Sequence, residues 1–475
     1  MLLFTPFTTF ILILLLTTFS FTSHAKHKNS NSLVLGLTHS RTLSPFPMQS
    51  KASKPLRVLD MLEPLKENRD GYLISLNLGT PQQVLQVFMD TGSDLTWVPC
   101  GNVSFDCMDC DDYGKYKLTA TFSPSRSSSS LRDLCTSPFC IDIHSSDNDY
   151  DPCTVAGCSM STLVKGACPR PCPSFSYTYG AGGIVVGSLT RDTLWVHGGN
   201  SSATSEISNF CFGCVGSTYR EPIGIAGFGR GRLSLPSQLG FLEKGFSHCF
   251  LAFKYANNPN ITSPLVLGDL AVSSKDYLQF TPMLTSPMYP NFYYIGLEAI
   301  TVANSTFIEV PSSLRAFDPE GNGGMLIDSG TTYTHLPEPL YSGLLSVLAS
   351  TITYPRSTEH EDRTGFGLCY MVPCLNNIFL DDLPSISFHF LSNVTITLPK
   401  ENYFYAVSPP KNSTVVKCLL FQAMDDGDYG PGGVFGNFQQ HNLEVVYDLE
   451  KQRIGFQPMD CASYAVSQGL HGKHA

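Results

Sequence analysis

The sequence predicts an all-β protein of two related lobes with few, short helices, and three observations predict it. Short apolar runs, Tyr72-Leu-Ile-Ser-Leu-Asn-Leu78, Val84-Leu-Gln-Val-Phe-Met89, Leu265-Val-Leu267, Tyr293-Tyr-Ile-Gly-Leu297 and Val394-Thr-Ile-Thr-Leu398, are punctuated by 39 Gly and 32 Pro. Runs of that length, rich in β-branched and aromatic residues and bounded by turn formers, read as strands. Val87-Phe-Met-Asp90-Thr91-Gly92-Ser93 is echoed 238 residues later by Met325-Leu-Ile-Asp328-Ser329-Gly330-Thr331. Finally, 475 residues with 42% hydrophobic side chains can bury a large core, and a chain longer than roughly 300 residues divides into more than one lobe. The best helix candidate is Pro339 to Thr351.

In chain order, Met1 to Ala25 carry no Lys, Arg, Asp or Glu and hold the apolar run Phe10-Ile-Leu-Ile-Leu-Leu-Leu16 before Ser23-His24-Ala25. A short apolar stretch ending in small-x-small is the pattern of a secretory signal, so residues 1–25 are read as a signal peptide; its Thr and Ser dilute it below what an anchor needs. No later segment reaches 18 apolar residues, and Tyr464 to Ala475 lacks the hydrophobic tail of a glycolipid-anchor signal. The expectation is an exported chain without a stable membrane anchor, bound for the extracellular space or cell wall, with the vacuole as the other destination on the same route.

Residues 26–69 are read as a basic propeptide. Lys26, Lys28, Arg41, Lys51, Lys54 and Arg57 occur in 26–58 with no acid, so the remaining chain has 24 basic against 40 acidic residues, a balance of −16. A basic leader ahead of an acidic body suggests a removable segment held partly by charge. The same acidic balance, with only 15% charged residues, argues against nucleic-acid binding, which needs a basic face to displace phosphate counterions. Residues 70–285 are expected to form the first lobe, 286–462 the second and 463–475 a polar tail. Within the first lobe, residues 100–172 hold nine of the 16 cysteines and a Ser run, Ser123-Pro-Ser-Arg-Ser-Ser-Ser-Ser130, and so read as a loop-rich insertion held by disulfides.

An even cysteine count in an exported chain implies up to eight disulfides. Cys107-Met-Asp-Cys110 and Cys211-Phe-Gly-Cys214 have the spacing of zinc or redox pairs, but no His-rich cluster follows either one, and no metal or cofactor is expected. Asn-x-Ser/Thr sequons at Asn102, Asn200, Asn260, Asn304, Asn393 and Asn412 are glycosylation candidates.

The chemistry rests on the echo. At average composition an Asp-Ser/Thr-Gly triplet occurs roughly once in ~2,000 positions, and a single one is more often a turn than an active site. Two, each behind an apolar strand and followed by a hydroxyl residue, are another matter. The echo also extends outward: Tyr72-Leu-Ile-Ser-Leu precedes the first acid and Tyr293-Tyr-Ile-Gly-Leu the second, and Ile223-Gly-Ile-Ala-Gly227 is matched by Gly433-Val-Phe-Gly436. Two lobes of one plan, each lending an acid loop to the cleft between them, account for this.

These residues resemble the pepsin-like aspartic proteases, and specifically their plant nepenthesin-type branch. The likeness rests on Asp90-Thr-Gly-Ser-Asp-Leu-Thr-Trp97, Asp328-Ser-Gly-Thr-Thr332, Tyr177-Thr-Tyr-Gly180, Gly227-Phe-Gly-Arg-Gly-Arg-Leu-Ser-Leu-Pro-Ser-Gln238 and Gly436-Asn-Phe-Gln-Gln-His-Asn-Leu-Glu-Val-Val-Tyr-Asp448, and spans about residues 70 to 462. It implies a bilobal pepsin-like β fold with an extended cleft between pseudo-symmetric lobes, and a monomer that takes a peptide or protein as substrate. Asp90 and Asp328 would be the catalytic pair. Two carboxylates about 3 Å apart would repel by ~5.5 kcal/mol at an effective dielectric near 20. They therefore share one proton, a pattern carried over from this family's standard example. Water between them would lose a proton to the ionised partner and attack the peptide carbonyl at acidic pH.

The resemblance also implies supporting roles. Thr91 and Ser329 would cross-link the acid loops, Ser93 and Thr331 would orient the carboxylates, and Gly92 and Gly330 would let backbone N–H groups approach them. Tyr179 and Gly180 would belong to a flap closing over substrate, with Trp97 packed behind the tyrosine. The flap departs from the branch's commoner Tyr-Gly-Asp-Gly-Ser, having Ala181 for the acid and Gly183 for the serine, so the resemblance does not carry over the branch's flap hydrogen bonding or subsite preference, while catalysis does not depend on those two positions alone. The rival reading is a catalytically inactive relative that inhibits cell-wall-degrading glycoside hydrolases. Such relatives have lost parts of the acid motifs or the flap, whereas here both acids, both following glycines, the orienting hydroxyls and the flap tyrosine are present. A Ser/His/Asp hydrolase is disfavoured because Gly-x-Ser-x-Gly is absent, and a glycosidase pair does not carry this echo.

Overall fold

A computed structural model describes residues 32–43, 70–101, 105–110, 120–145, 151–198, 204–273, 277–375, 378–379, 382–424 and 430–471. The signal at 1–25, most of the 26–69 leader, and the sequons at Asn102 and Asn200 lie outside these residues. The strand Tyr72–Leu78 turns back through Gly79, at φ 89°, onto the strand Gln83–Asp90, with register Leu73↔Phe88 to Leu78↔Gln83. Ile74, Leu76, Val87 and Met89 face one core, whereas Leu73 and Phe88 face a second one that also holds Trp97 and Phe175. Burial on both faces explains why Val87-Phe-Met reads as a continuous apolar run rather than an alternating one.

The acid-bearing strands have matching surroundings. Ile225–Gly227 runs parallel to Gln83–Asp90, with Gly227 opposite Asp90, and meets Trp97–Pro99 antiparallel at Trp97. Trp97–Pro99 in turn runs parallel to Thr204–Tyr219. In the second half, Gly433–Phe435 runs parallel to Met325–Ile327 and meets Thr334–Leu336 antiparallel at His335, which runs parallel to Phe421–Ala423. The two short Gly-rich echoes are thus the parallel partners of the two acid strands, one plan built twice.

The halves share one antiparallel sheet. Its order is Ser32–His39, Ser263–Gly268, Phe246–Cys249, Leu443–Asp448, Arg453–Pro458 and Gln279–Leu284. The edge strand comes from the basic leader. Its residues Ser32 to Leu37 are zipped by backbone pairing to Gly268 through Ser263, and Thr38 and His39 pair with Leu73 and Tyr72. Among the described residues charge adds to this strand's hold through Arg41, whose Nε (2.9 Å) and Nη2 (2.6 Å) donate to the buried Asp70 carboxylate while its guanidinium lies over the Phe253 ring.

Helices are short, and Leu340–Thr351 is the longest among the described residues, entering behind Pro339 and burying Leu340, Leu344 and Leu348. Tail residues fold too: Cys461–Ser467 is a helix capped by Asp460, and Leu470 is buried. The insertion holds four internal disulfides, Cys107–Cys110, Cys135–Cys153, Cys140–Cys172 and Cys158–Cys168, and Cys100–Cys214 ties it to the sheet. Cys249–Cys461 and Cys369–Cys418 bring the total to seven. An eighth does not form, because Cys211 and Cys374 are buried thiols in different halves of the chain. Asn260, Asn304, Asn393 and Asn412 all stand exposed in turns.

Candidate active site

Each acid ends its strand where the chain leaves the sheet, so its carboxylate points out of the strand end while its backbone stays anchored. Phe228 N donates to Asp90 O at 2.7 Å, and Asp328 N donates to Phe435 O at 3.2 Å. The two loops are joined by reciprocal bonds. Thr91 N donates to Ser329 Oγ (3.0 Å) and Ser329 N to Thr91 Oγ1 (2.9 Å). The hydroxyls pass their protons onward, Thr91 Oγ1 to Ile327 O (3.0 Å) and Ser329 Oγ to Met89 O (2.9 Å). Both side chains are fully buried, where an unmade bond costs most.

Each carboxylate is held at both oxygens in the same way. Gly92 N donates to Asp90 Oδ1 (3.0 Å) and Ser93 Oγ to Asp90 Oδ2 (2.5 Å). Gly330 N donates to Asp328 Oδ1 (2.8 Å) and Thr331 Oγ1 to Asp328 Oδ2 (2.5 Å). A methyl group on Gly92 would collide with the Asp328 carboxylate, and one on Gly330 would meet both Asp90 and Asp328. The two acids therefore face each other across the two glycines, and only residues without a Cβ fit between them. Asn437 Nδ2 closes the base by donating to Ser329 O (3.1 Å) and Asp70 O (3.0 Å).

Tyr179 sits at the turn of the hairpin between Phe175–Thr178 and Ile184–His197, closed by Tyr179 N donating to Gly183 O (2.8 Å). Its ring is buried, and its hydroxyl accepts from Trp97 Nε1 at 2.8 Å. Gly180 is exposed, with open space around its Cβ position. Gly183 is the tight position of the hairpin, because a Cβ there would run into the buried Glu221 carboxylate. The serine found there in the commoner flap has no room here.

No described cluster offers a thiolate for a metal. Cys135, Cys153, Cys158 and Cys168 lie close together, as do Cys140, His144 and Cys172, but these cysteines are paired as disulfides. Sequence reasoning passed over Asp94, Asn291 and Glu221. Asp94 was in plain view within the first motif, but its enclosure by residues more than a hundred positions away leaves no local signal.

Comparison with known proteins decides the family. The family described as xylanase inhibitor N-terminal matches residues 72–269, and that described as xylanase inhibitor C-terminal matches residues 292–458. A probable aspartyl protease of Arabidopsis thaliana is 35% identical over 439 residues, covering 84% of this chain and 84% of its own. The aspartic proteinase nepenthesin-2 of Nepenthes gracilis is 31% identical over 399 residues, covering 83% of this chain and 79% of its own. The chain belongs to the plant pepsin-like aspartic protease family. Solved structures agree on the fold: this family member matches edgp at a TM-score of 0.63 and 19% identity, over 94% of this chain and 98% of that one. It matches conglutin gamma from lupine seeds at 0.61 and 18%, over 94% and 100%. Within the family, the reciprocal bonding of the two acid loops is the feature that any functional reading has to explain.

Proposed function

We propose that this protein is an aspartic endopeptidase that hydrolyses peptide bonds at acidic pH, with Asp90 and Asp328 as its catalytic pair. The observation that supports this most is the symmetric holding of both carboxylates by Gly92, Ser93, Gly330 and Thr331 on loops cross-linked through Thr91 and Ser329. A water between the carboxylates gives a proton to the ionised one as its oxygen attacks the scissile carbonyl carbon, and the protonated partner donates to the developing oxyanion. As the tetrahedral intermediate collapses, the carboxyl that took the water's proton gives it to the leaving nitrogen, the C–N bond breaks, and a hydroxyl of the intermediate returns its proton to the other carboxylate, so that the pair again shares one proton. Tyr179, braced by Trp97, and Gly180 cover substrate from the flap. The protein is made with a signal peptide at 1–25 and a leader at 26–69, exported to the cell wall or extracellular space or carried to the vacuole, and works as a monomer.

The test is to express residues 26–475, acidify, and follow cleavage of a denatured protein beside Asp90→Asn and Asp328→Asn. Each variant is expected to leave uncut the substrate that the unmutated protein cleaves. The second reading, an inhibitor of cell-wall-degrading glycoside hydrolases, is favoured by the xylanase-inhibitor description of both matched families. If the protein is inactive from pH 3 to 6 after loss of its leader, yet lowers the rate of a xylanase in a direct assay, that reading replaces the first.

A further inference from the structure

The first acid loop carries a third aspartate, and the run Gly227-Phe-Gly-Arg-Gly231 is shaped around it. A side chain at Gly229 or Gly231 would run into the Asp94 carboxylate, and one at Gly227 would run into the Asp94 backbone. Within that cradle Gly231 N donates to Asp94 Oδ1 (2.6 Å), and Asn291 Nδ2, from the second half of the chain, donates to Asp94 Oδ2 (2.8 Å). The backbone around these groups is tied the same way, with Gly229 N donating to Ser93 O (2.9 Å) and Arg230 N to Asn291 O (2.8 Å). On the flap side, the Tyr177 hydroxyl lies against the backbone of Asp94 and Leu95. One carboxylate, four residues beyond Asp90, thus joins the acid loop to both the Gly-rich loop and the Asn291 segment.

We propose that Asp94 is a positioning residue, whose carboxylate locks the Asp90 loop against the second half of the chain through Asn291 and adds a negative charge beside the catalytic pair when it ionises. The proposal rests on the protease reading. Enclosure above all, with the like charges of Asp142 and Asp90 adding to it, raises the Asp94 carboxyl from the usual 3.8 to about 6 against the pull of the Gly231 and Asn291 bonds. The groups facing it are Asp90, the Tyr177 and Tyr293 hydroxyls, and Asp142, which is itself paired with Arg232 at 3.0 Å. Arg230 is turned away, bonding Pro290 O and Gln452. Above about pH 6 the ionised carboxylate accepts both bonds. A negative charge next to the pair also helps it keep its shared proton to higher pH.

The test uses Asp94→Asn, which removes charge but keeps a hydrogen-bonding amide, with Asp94→Ala and Asn291→Ala removing the link. kcat and KM on a peptide are measured from pH 3 to 7, and unfolding temperature is measured over the same range without substrate. Asp94→Asn is expected to move the alkaline limb of kcat to lower pH by about half a unit. Asp94→Ala and Asn291→Ala are expected to lower kcat about tenfold with KM held within about twofold, as misplacement of a catalytic group does. In the folded chain Asp94 keeps its proton to a higher pH than in the unfolded chain, so native stability drops as pH rises from 3.8 to about 6. Asp94→Asn escapes that penalty and should gain about 3 °C on the unmutated protein across the window. Coincident pH–rate profiles with unaltered kcat, or parallel unfolding curves for the two proteins, would overturn the proposal. If the unmutated protein cleaves nothing, the protease reading fails by itself and the unfolding curves still judge the clamp.

Discussion

Thr91→Val and Ser329→Ala test the core of the site in two near-mirror experiments. Thr91→Val keeps the shape of the side chain and removes one buried oxygen that both accepts from Ser329 N and donates to Ile327 O. Ser329→Ala likewise strands Thr91 N and Met89 O. Two buried groups lose their partners in each case, at about 1–3 kcal/mol per group, so each substitution should cost about 2–6 kcal/mol. For roughly 400 folded residues the unfolding entropy is about 0.8 kcal/mol/K, which converts that cost to a Tm lower by about 2–7 °C. Differential scanning calorimetry of the single and double variants is the assay, with peptide cleavage beside it. The single shifts should be alike, because the bonding is reciprocal. The double shift should differ from their sum, because the four bonds share two loops. Two single variants that each unfold within 1 °C of the unmutated protein, or a double variant that is strictly additive, would refute the reasoning that the loops are joined as one unit.

Gly330→Ala places a methyl group against both carboxylates; it should abolish cleavage at every pH while circular dichroism still shows the β fold. Gly183→Ser should raise KM severalfold by pushing the flap off Glu221, and a Gly183→Ser/Glu221→Ala protein, with that space cleared, should recover most of the loss. Burial lowers the His39 imidazole to about 4; Asp70 opposes the shift and Arg41 adds to it, while His441, lowered well below 6.5, lies on the body side of the seat. Because the folded chain resists taking that proton, the stability His39 lends is complete above pH 6.5 and is lost as pH falls toward about 4. Hydrogen exchange at Ser32–His39, corrected for intrinsic rates, should therefore quicken across that window, and His39→Gln should flatten the change.

Much of the fold was legible because its signals are local. Tyr72–Leu78 forms over the apolar run that marks it, and the helix from Leu340 begins one residue after the expected Pro339. The leader was legible only as charge. Among its described residues, Ser32–His39 is seated by an edge-strand ladder that belongs to the backbone and leaves little trace in composition, and Arg41 adds an ion pair to Asp70 of the kind the basic character suggested. The disulfide count fell one short of its ceiling, because whether two thiols meet depends on where their strands end up, and Cys211 and Cys374 lie far apart in the sheet plan.

By itself the sequence determined that two strand-borne acids, each followed by a hydroxyl residue and a glycine, recur across a β-rich chain of two lobes, since strand periodicity and short motifs are written in neighbouring residues. Only the tertiary structure decided which backbone groups the expected Thr91–Ser329 link uses, that a Cβ at Gly183 would meet Glu221, and that three glycines enclose Asp94. Those facts depend on groups that close packing brings together from distant parts of the chain. A carboxylate's surroundings, and with them its proton, are a property of the folded interior rather than of the residues on either side of it.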